Sequence, residues 1–193
     1  MSNNKDPKGV SRRELLTFWR KPLAELARKP APPVPRLRAA PLRPPGMMHE
    51  LMLVDACIRC GKCVEACPAD AIHPLPGGFG DKAEGTPFID ARKRPCVLCT
   101  GLQCTHVCPS GALLPVYVNN DVTMGTAVLD ELRCVAHHGQ ACDVCFKACP
   151  VPGAIVIDTL GRVTVEAATC VGCGLCEHVC PTEPTSIRVV PRD

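Results

Sequence analysis

The chain has 193 residues, room for one or two small domains, and 16 of them are cysteine, about 8%. Aromatic residues make up only 3%, which excludes a core carried by large rings; metal ligation is a natural substitute where the organic core is thin. The formal charge of +3 hides an asymmetry: residues 1–50 hold 11 Lys/Arg against 4 Asp/Glu, and residues 51–193 hold 11 against 15. That split predicts a basic tail on an acidic body, and no stretch approaches the roughly 18 consecutive apolar residues of a membrane span.

The tail is read as residues 1–48. SRRELLTFWRKPLAELA predicts a short helix, capped by Ser11 with Glu14 three residues on, and kinked or split at Pro22. KPAPPVPR and RLRAAPLRPPG then predict a disordered, extended linker with little chance of packing. Ser11-Arg12-Arg13-Glu14-Leu15-Leu16 resembles a twin-arginine export signal. Only LLTFW separates it from Arg20-Lys21, short of the 7–15 apolar residues a signal needs. The expectation is a cytoplasmic protein, with periplasmic export as the alternative. The arginines are also candidates for contact with a partner or an anionic membrane surface.

The body, residues 49–193, repeats. Cysteine groups open at Cys57, Cys96, Cys134 and Cys170, with repeat units near 51–75, 88–118, 126–158 and 162–190. The β-prone runs LMLVD, PFID, AVLD and VTVE precede the groups, and Ile72, Leu113, Ile155 and Ile187 follow their Cys-Pro endings. Each unit therefore predicts strand, cysteine loop, short helix ending near Cys-Pro, strand. IVIDTLGRVTVE predicts a hairpin turning at Gly161, and GGFGDKAEGTP a longer loop.

Spacing decides the chemistry. The first group, Cys57, Cys60, Cys63 and Cys67, and the fourth, Cys170, Cys173, Cys176 and Cys180, both read C-x2-C-x2-C-x3-C-P, the run of bacterial ferredoxins. The second, Cys96, Cys99, Cys104 and Cys108, has an x4 loop. The third, Cys134, Cys142, Cys145 and Cys149, opens with an x7 loop, and both keep the x3-C-P ending. Three thiolates on one loop can wrap three iron corners, leaving the fourth to serve a neighbouring cluster. Gly61, Gly172 and Gly174 permit close backbone approach, so that N–H groups can bond to sulfide. Structural zinc prefers two separated C-x2-C pairs. Disulfides are disfavoured between thiols so close in sequence with no cleavable secretory signal. The expectation is four [4Fe–4S] clusters ligated by all 16 cysteines. Oxidised, they would carry the body from a net −4 to about −12, which suits docking on basic partner surfaces.

At this point the body resembles a polyferredoxin of two bacterial two-cluster units. The x4 and x7 loops resemble the MauM/NapG family of ferredoxin-type proteins, and the SRRELLTFWR leader is similar to that of NapF-type proteins. The likeness covers essentially all of residues 49–193. It implies a small, loop-rich α+β fold in which each cluster draws three cysteines from one group and one from a partner group. Two schemes stay open: tandem, pairing groups one with two and three with four, or nested, pairing two with three inside one with four. The x4 loop of group two is shared with nested iron–sulfur subunits and inclines the reading to nesting.

The histidines are weighed as bystanders. His106 and His178 share a repeat position with Glu65 and Lys147, as a solvated helix face would. His137 and His138 fall in the x7 loop and read as exposed loop residues, with a lesser chance of tuning or replacing a ligand. No nucleophile–base pair, Walker loop or dinucleotide fingerprint occurs, so no catalytic residue is assigned and no nucleic-acid role is expected. The expected function is single-electron relay between a quinol or dehydrogenase-side donor and a redox enzyme. The alternative, implied by the NapF-type likeness, is a cytoplasmic accessory or maturation protein for a molybdoenzyme such as periplasmic nitrate reductase.

Overall fold

The computed structural model describes residues 40–192. The expected tail helix, its kink at Pro22 and the Arg12-Arg13 motif lie outside the described residues. Strands and helices are all short. In chain order they are α1 (Glu50–Ala56), α2 (Lys62–Glu65), β1 (Ile72–Pro74), β2 (Pro87–Ile89), α3 (Gln103–His106), β3 (Gly125–Leu129), α4 (Val144–Ala148), β4 (Ile155–Ile157), β5 (Val163–Val165), α5 (Leu175–Val179) and β6 (Ile187–Pro191). Single 3-10 turns lie at Asn119–Asp121 and Val135–His138. Helices of four to seven residues are far below the length at which they hold by themselves, so packing around the cysteines must sustain them.

The strands pair in three antiparallel ribbons. β1 pairs with β2, Ile72 opposite Ile89. β4 pairs with β5 as the expected hairpin, Ile155 opposite Val165, and Gly161 takes the left-handed turn position at φ +79°. β3 pairs with β6, Leu129 opposite Ile187 and Gly125 opposite Pro191. Groups three and four therefore sit in one closed unit, with an outer ribbon β3–β6 and an inner hairpin β4–β5. This is a tandem arrangement: the inclination to nesting drawn from the x4 loop gives way to strand pairing that closes groups three and four on each other.

The first half departs from the repeat. LMLVD, expected as a strand, lies in helix α1. His49 caps it, its Nδ1 accepting from Leu51 N–H at 3.2 Å. Leu, Met, Glu and Ala favour helix, and strand preference depends on a partner to pair with. That partner is missing, because residues 114–118, which follow Leu113 in the second repeat, form no strand. Leu53 alone of α1 is buried.

A segment read as linker fills part of the gap. Leu42 bridges Ile89 and is buried, Ile89 N–H donating to Leu42 O at 2.8 Å. Leu114 N–H donates to Gly46 O at 2.9 Å. Arg43, only 1% exposed, donates to Thr86 Oγ1 at 3.0 Å and to Pro87 O at 2.7 Å, and pairs with the Glu50 carboxylate through two nitrogens. The expectation that PLRPPG would not pack is thus corrected for residues 42–46. Glu50 and the Thr86 turn, which hold Arg43 in place, come from elsewhere in the chain.

The core bears out the composition argument. One buried cluster joins Leu42, Ile72, Ile89, Leu102, Val122, Met124 and Val171 to Cys96, Cys104 and Cys173. A second joins Ala127, Ile155, Val163 and Ile187 to Cys134, Cys145, Cys176 and Cys180. Neither contains an aromatic ring; sulfur stands where rings would.

Candidate functional site

Four hollows are lined by four cysteines each. Site I gathers Cys57, Cys60, Cys63 and Cys108. Site II gathers Cys67, Cys96, Cys99 and Cys104. Site III gathers Cys149, Cys170, Cys173 and Cys176. Site IV gathers Cys134, Cys142, Cys145 and Cys180. Every quartet takes three cysteines from one group and the fourth from its tandem neighbour, and all 16 are used once. Sites II, III and IV are narrow hollows closed in by buried side chains. Site I is wider and opens to solvent, with Cys60 exposed.

Local backbone chemistry explains the crossing. Proline follows each fourth cysteine and bars its predecessor from helical geometry. Helix α4 therefore stops at Cys149 (φ −71°, ψ 118°) and α5 at Cys180 (φ −61°, ψ 123°), both extended. The thiols leave their own helices there and turn to the partner site. Within the loops, the residue before the second cysteine is left-handed in groups one, two and four: Arg59 at φ +57°, Leu98 at +48° and Gly172 at +75°. Glycine takes this conformation without cost, whereas Arg59 and Leu98 bear strain of about 1–3 kcal/mol. The Arg59 guanidinium offsets it by donating to Glu84 O at 2.8 Å and to Cys57 O at 3.0 Å.

The quartets fit a cluster better than a lone ion. Among the described residues no group of three or more His, Cys, Asp or Glu side chains is arranged to hold a single metal ion, whereas zinc would need sulfurs at about 2.3 Å from one centre. Burial, with repulsion from neighbouring cysteines, pushes the Cys63 and Cys145 thiols up to about 11 and Cys104 to about 12. Burial also carries Cys96 to about 12, against a hydrogen bond from Leu98 N–H. Such a set becomes a set of thiolates only around a multiply charged cationic core.

The fourth cysteines differ among themselves, which the sequence reading missed. Burial alone would raise Cys180, but hydroxyls of Ser186, Thr182 and Thr185 outweigh it and bring the thiol down to about 6. Its Sγ lies 3.2 Å from Thr182 Oγ1 and 3.3 Å from Ser186 Oγ. Cys108 is lowered too, burial being outweighed by Leu113 N–H at 3.4 Å and by Ser110, whose Oγ is 3.7 Å away. Cys67 receives Ala71 N–H at 3.3 Å, and Cys149 has a carbonyl, Val151 O, at 3.4 Å. The signal was present as Cys-Pro-Ser and Cys-Pro-Thr at 108–110 and 180–182, against Cys-Pro-Ala and Cys-Pro-Val at 67–69 and 149–151.

None of the four weighed histidines lines a quartet hollow. His106 Nε2 meets Val116 O at 3.2 Å and its ring stacks edge-on with Tyr117, and His178 Nδ1 meets Arg92 O at 2.8 Å. His137 and His138 are not free loop residues: their Nε2 atoms meet Val163 O and Leu132 O, each at 2.8 Å. No described helix is long and apolar enough to cross a membrane.

Comparison with known proteins points the same way. The family described as "4Fe-4S dicluster domain" matches residues 56–112 and 140–183. Ferredoxin-type protein NapG of Escherichia coli K12 is 40% identical over 163 residues, 78% of this chain and 70% of its own. Methylamine utilization ferredoxin-type protein MauM of Methylorubrum extorquens AM1 is 39% identical over 204 residues, 97% of this chain and 92% of its own. Ferredoxin-type protein NapF of E. coli K12 is more distant, 25% identical over 72% of this chain and 80% of its own.

Proposed function

Because the chain belongs to the ferredoxin-type [4Fe–4S] family that includes NapG and MauM, we propose that it is a four-cluster electron carrier with no catalytic site of its own. The observation that supports this reading is the partition of all 16 cysteines into four crossed quartets. Each quartet is assigned as the ligand set of one cubane. A bound [4Fe–4S] core supplies reversible one-electron chemistry. The chain's own residues set how that chemistry is used. Cys-Pro endings deliver the crossing thiolate, buried Leu, Val and Ile keep water from sites II, III and IV, and backbone N–H and hydroxyl groups steady the sulfur charge.

The partners are redox proteins. The printed name of MauM connects that relative with methylamine utilization, which favours a dehydrogenase or quinol-side donor passing single electrons to a redox enzyme. The accessory role for a molybdoenzyme rests on the weaker NapF likeness. Retention of four complete quartets favours the relay.

The test is anaerobic purification with metal and sulfide analysis. The reading requires a brown protein with about sixteen irons and as many acid-labile sulfides per chain. Colourless protein holding zinc, or about half that iron, would overturn it. Reduction by a quinol-linked partner separates the relay from the accessory role, which instead requires co-purification with an enzyme precursor.

A further inference from the structure

Each half fixes the order of its own two sites. Cys63 of site I and Cys67 of site II lie on consecutive turns around α2, and Cys104 of site II leads through α3 to Cys108 of site I. In the other half, Cys145 and Cys149 join site IV to site III across α4, and Cys176 and Cys180 join them again across α5. The link between halves is a separate feature. Cys96 N–H, on site II, donates to Cys173 O, on site III, at 3.0 Å. Both cysteines lie in the core they share with Leu98, Val122, Met124 and Val171, and Met124 N–H donates to Val171 O at 3.1 Å.

Two residues hold this seam closed. Gly174 is left-handed at φ +89°, and a Cβ there would stand 2.6 Å from Ala91 Cβ and 3.6 Å from Pro95 Cβ. Only glycine lets group four come so near the strand end that leads into group two. Arg92 reaches across from the same strand end and caps α5, donating to Glu177 O at 2.7 Å, Cys180 O at 2.9 Å and His178 O at 3.2 Å. One guanidinium thus satisfies the orphan carbonyls of a helix end in the other half.

We propose that the four sites form one line in the order I, II, III, IV, so that electrons visit the cysteine groups in the order one, two, four, three and cross between halves at the Cys96–Cys173 seam. Arg92 and Gly174 are positioning residues for that crossing. This rests on the four-cluster reading. At each hop one reduced core loses an electron and the adjacent oxidised core gains it, with no bond broken and no proton moved; an external one-electron reductant fills the line. The two ends differ in exposure, since Cys60 of site I faces solvent while Cys180 of site IV is buried.

The experiment is pulsed EPR on the full chain, reduced anaerobically with dithionite after its iron has been counted. Low iron defeats the four-cluster reading; full iron leaves the order to be decided by spin coupling. Serine substitution of one ligand marks a site by its altered spectrum. Marked at site I by Cys60→Ser, the signal is split by one neighbour; marked at site II by Cys99→Ser, it is split by two. Arg92→Gln in the Cys99→Ser background removes or shrinks one of those two splittings and leaves the other, because dipolar coupling falls as the cube of separation. Arg94→Gln, which breaks only the exposed pair with Asp70, changes neither. Two neighbours for site I overturn the order, and an unchanged pair of splittings in Arg92→Gln overturns the positioning role. Should Cys99→Ser lose its cluster, the signal of site III is read instead: loss of site II leaves it one neighbour in the proposed line, and two neighbours refute it.

Discussion

Removing the hydroxyls around Cys180 should lower the reduction potential of site IV. Thr182 and Ser186 place their oxygens 3.2 and 3.3 Å from Cys180 Sγ, and Ser186 is buried. A hydrogen bond to a charged group contributes about 1.5–3 kcal/mol. Reduction adds one negative charge spread over the core and four thiolates, so about a third of that strength, or about 0.5–1 kcal/mol, distinguishes the two redox states. At about 59 mV per tenfold change in a one-electron equilibrium, each hydroxyl is worth about 20–40 mV. Ser186→Ala with Thr182→Val should therefore shift site IV by roughly 40–80 mV in the negative direction, since the reduced form loses more. The assay is an anaerobic titration of the full chain followed by EPR, with the site IV signal identified by Cys142→Ser. Val151→Ser at site III, which introduces a hydroxyl at the matching repeat position, should shift that site positive. An unchanged or raised potential in the Ser186→Ala, Thr182→Val protein would refute the reasoning, provided its iron content is intact.

Arg43→Met should destabilise the first half by about 3 kcal/mol, the lower end of the range for stripping one partner from a buried ion pair, because Glu50 retains 32% exposure and can rehydrate. Anaerobic melting followed by cluster absorbance checks this, and Glu50→Gln should cost less. Gly172→Ala should damage site III selectively, since its Cβ would stand 2.4 Å from Gly125 N and 2.6 Å from Gly125 Cα; iron loss of about a quarter, read by metal analysis, is expected from one empty site in four. Chemical reconstitution of the cluster-free chain should speed up as pH rises. Cys96 and Cys104 sit at about 12 when folded, above the ordinary thiol value, so their protonated forms favour the apo fold and must be lost on ligation. Stopped-flow absorbance across the neutral to mildly alkaline range tests the sign, and a rate that falls with pH contradicts it.

The ligand chemistry was legible because it is written in local spacing. C-x2-C-x2-C-x3-C-P fixes which thiols share a loop, and the proline fixes where the fourth one leaves. The hairpin at Gly161 was legible for the same reason, being local. What could not be read was set by distant partners. LMLVD has the residues of a strand or of a helix, and only the lack of a pairing strand at residues 114–118 decides for α1. Arg43 looks solvated beside its prolines until Thr86, Pro87 and Glu50 are brought to it. The x4 loop of group two suggested nesting, yet it holds no information about which strands pair. That choice lies in β3 and β6, whose facing residues Leu129 and Ile187 are 58 positions apart in the chain but which share one alternating burial pattern.

The same division explains why the seam carries so much of the argument. Within each half, the covalent helix between third and fourth cysteine keeps two sites adjacent whatever the rest of the chain does. Between halves nothing covalent holds sites II and III together; chain order would place group two beside group three. The Cys96 N–H bond to Cys173 O, the missing Cβ of Gly174 and the three carbonyls capped by Arg92 instead select group four. Arg92 and Gly174 supply no thiolate, so their substitution is expected to leave both halves able to bind iron. A variant there can therefore separate cluster assembly from passage of electrons, which no cysteine substitution can do.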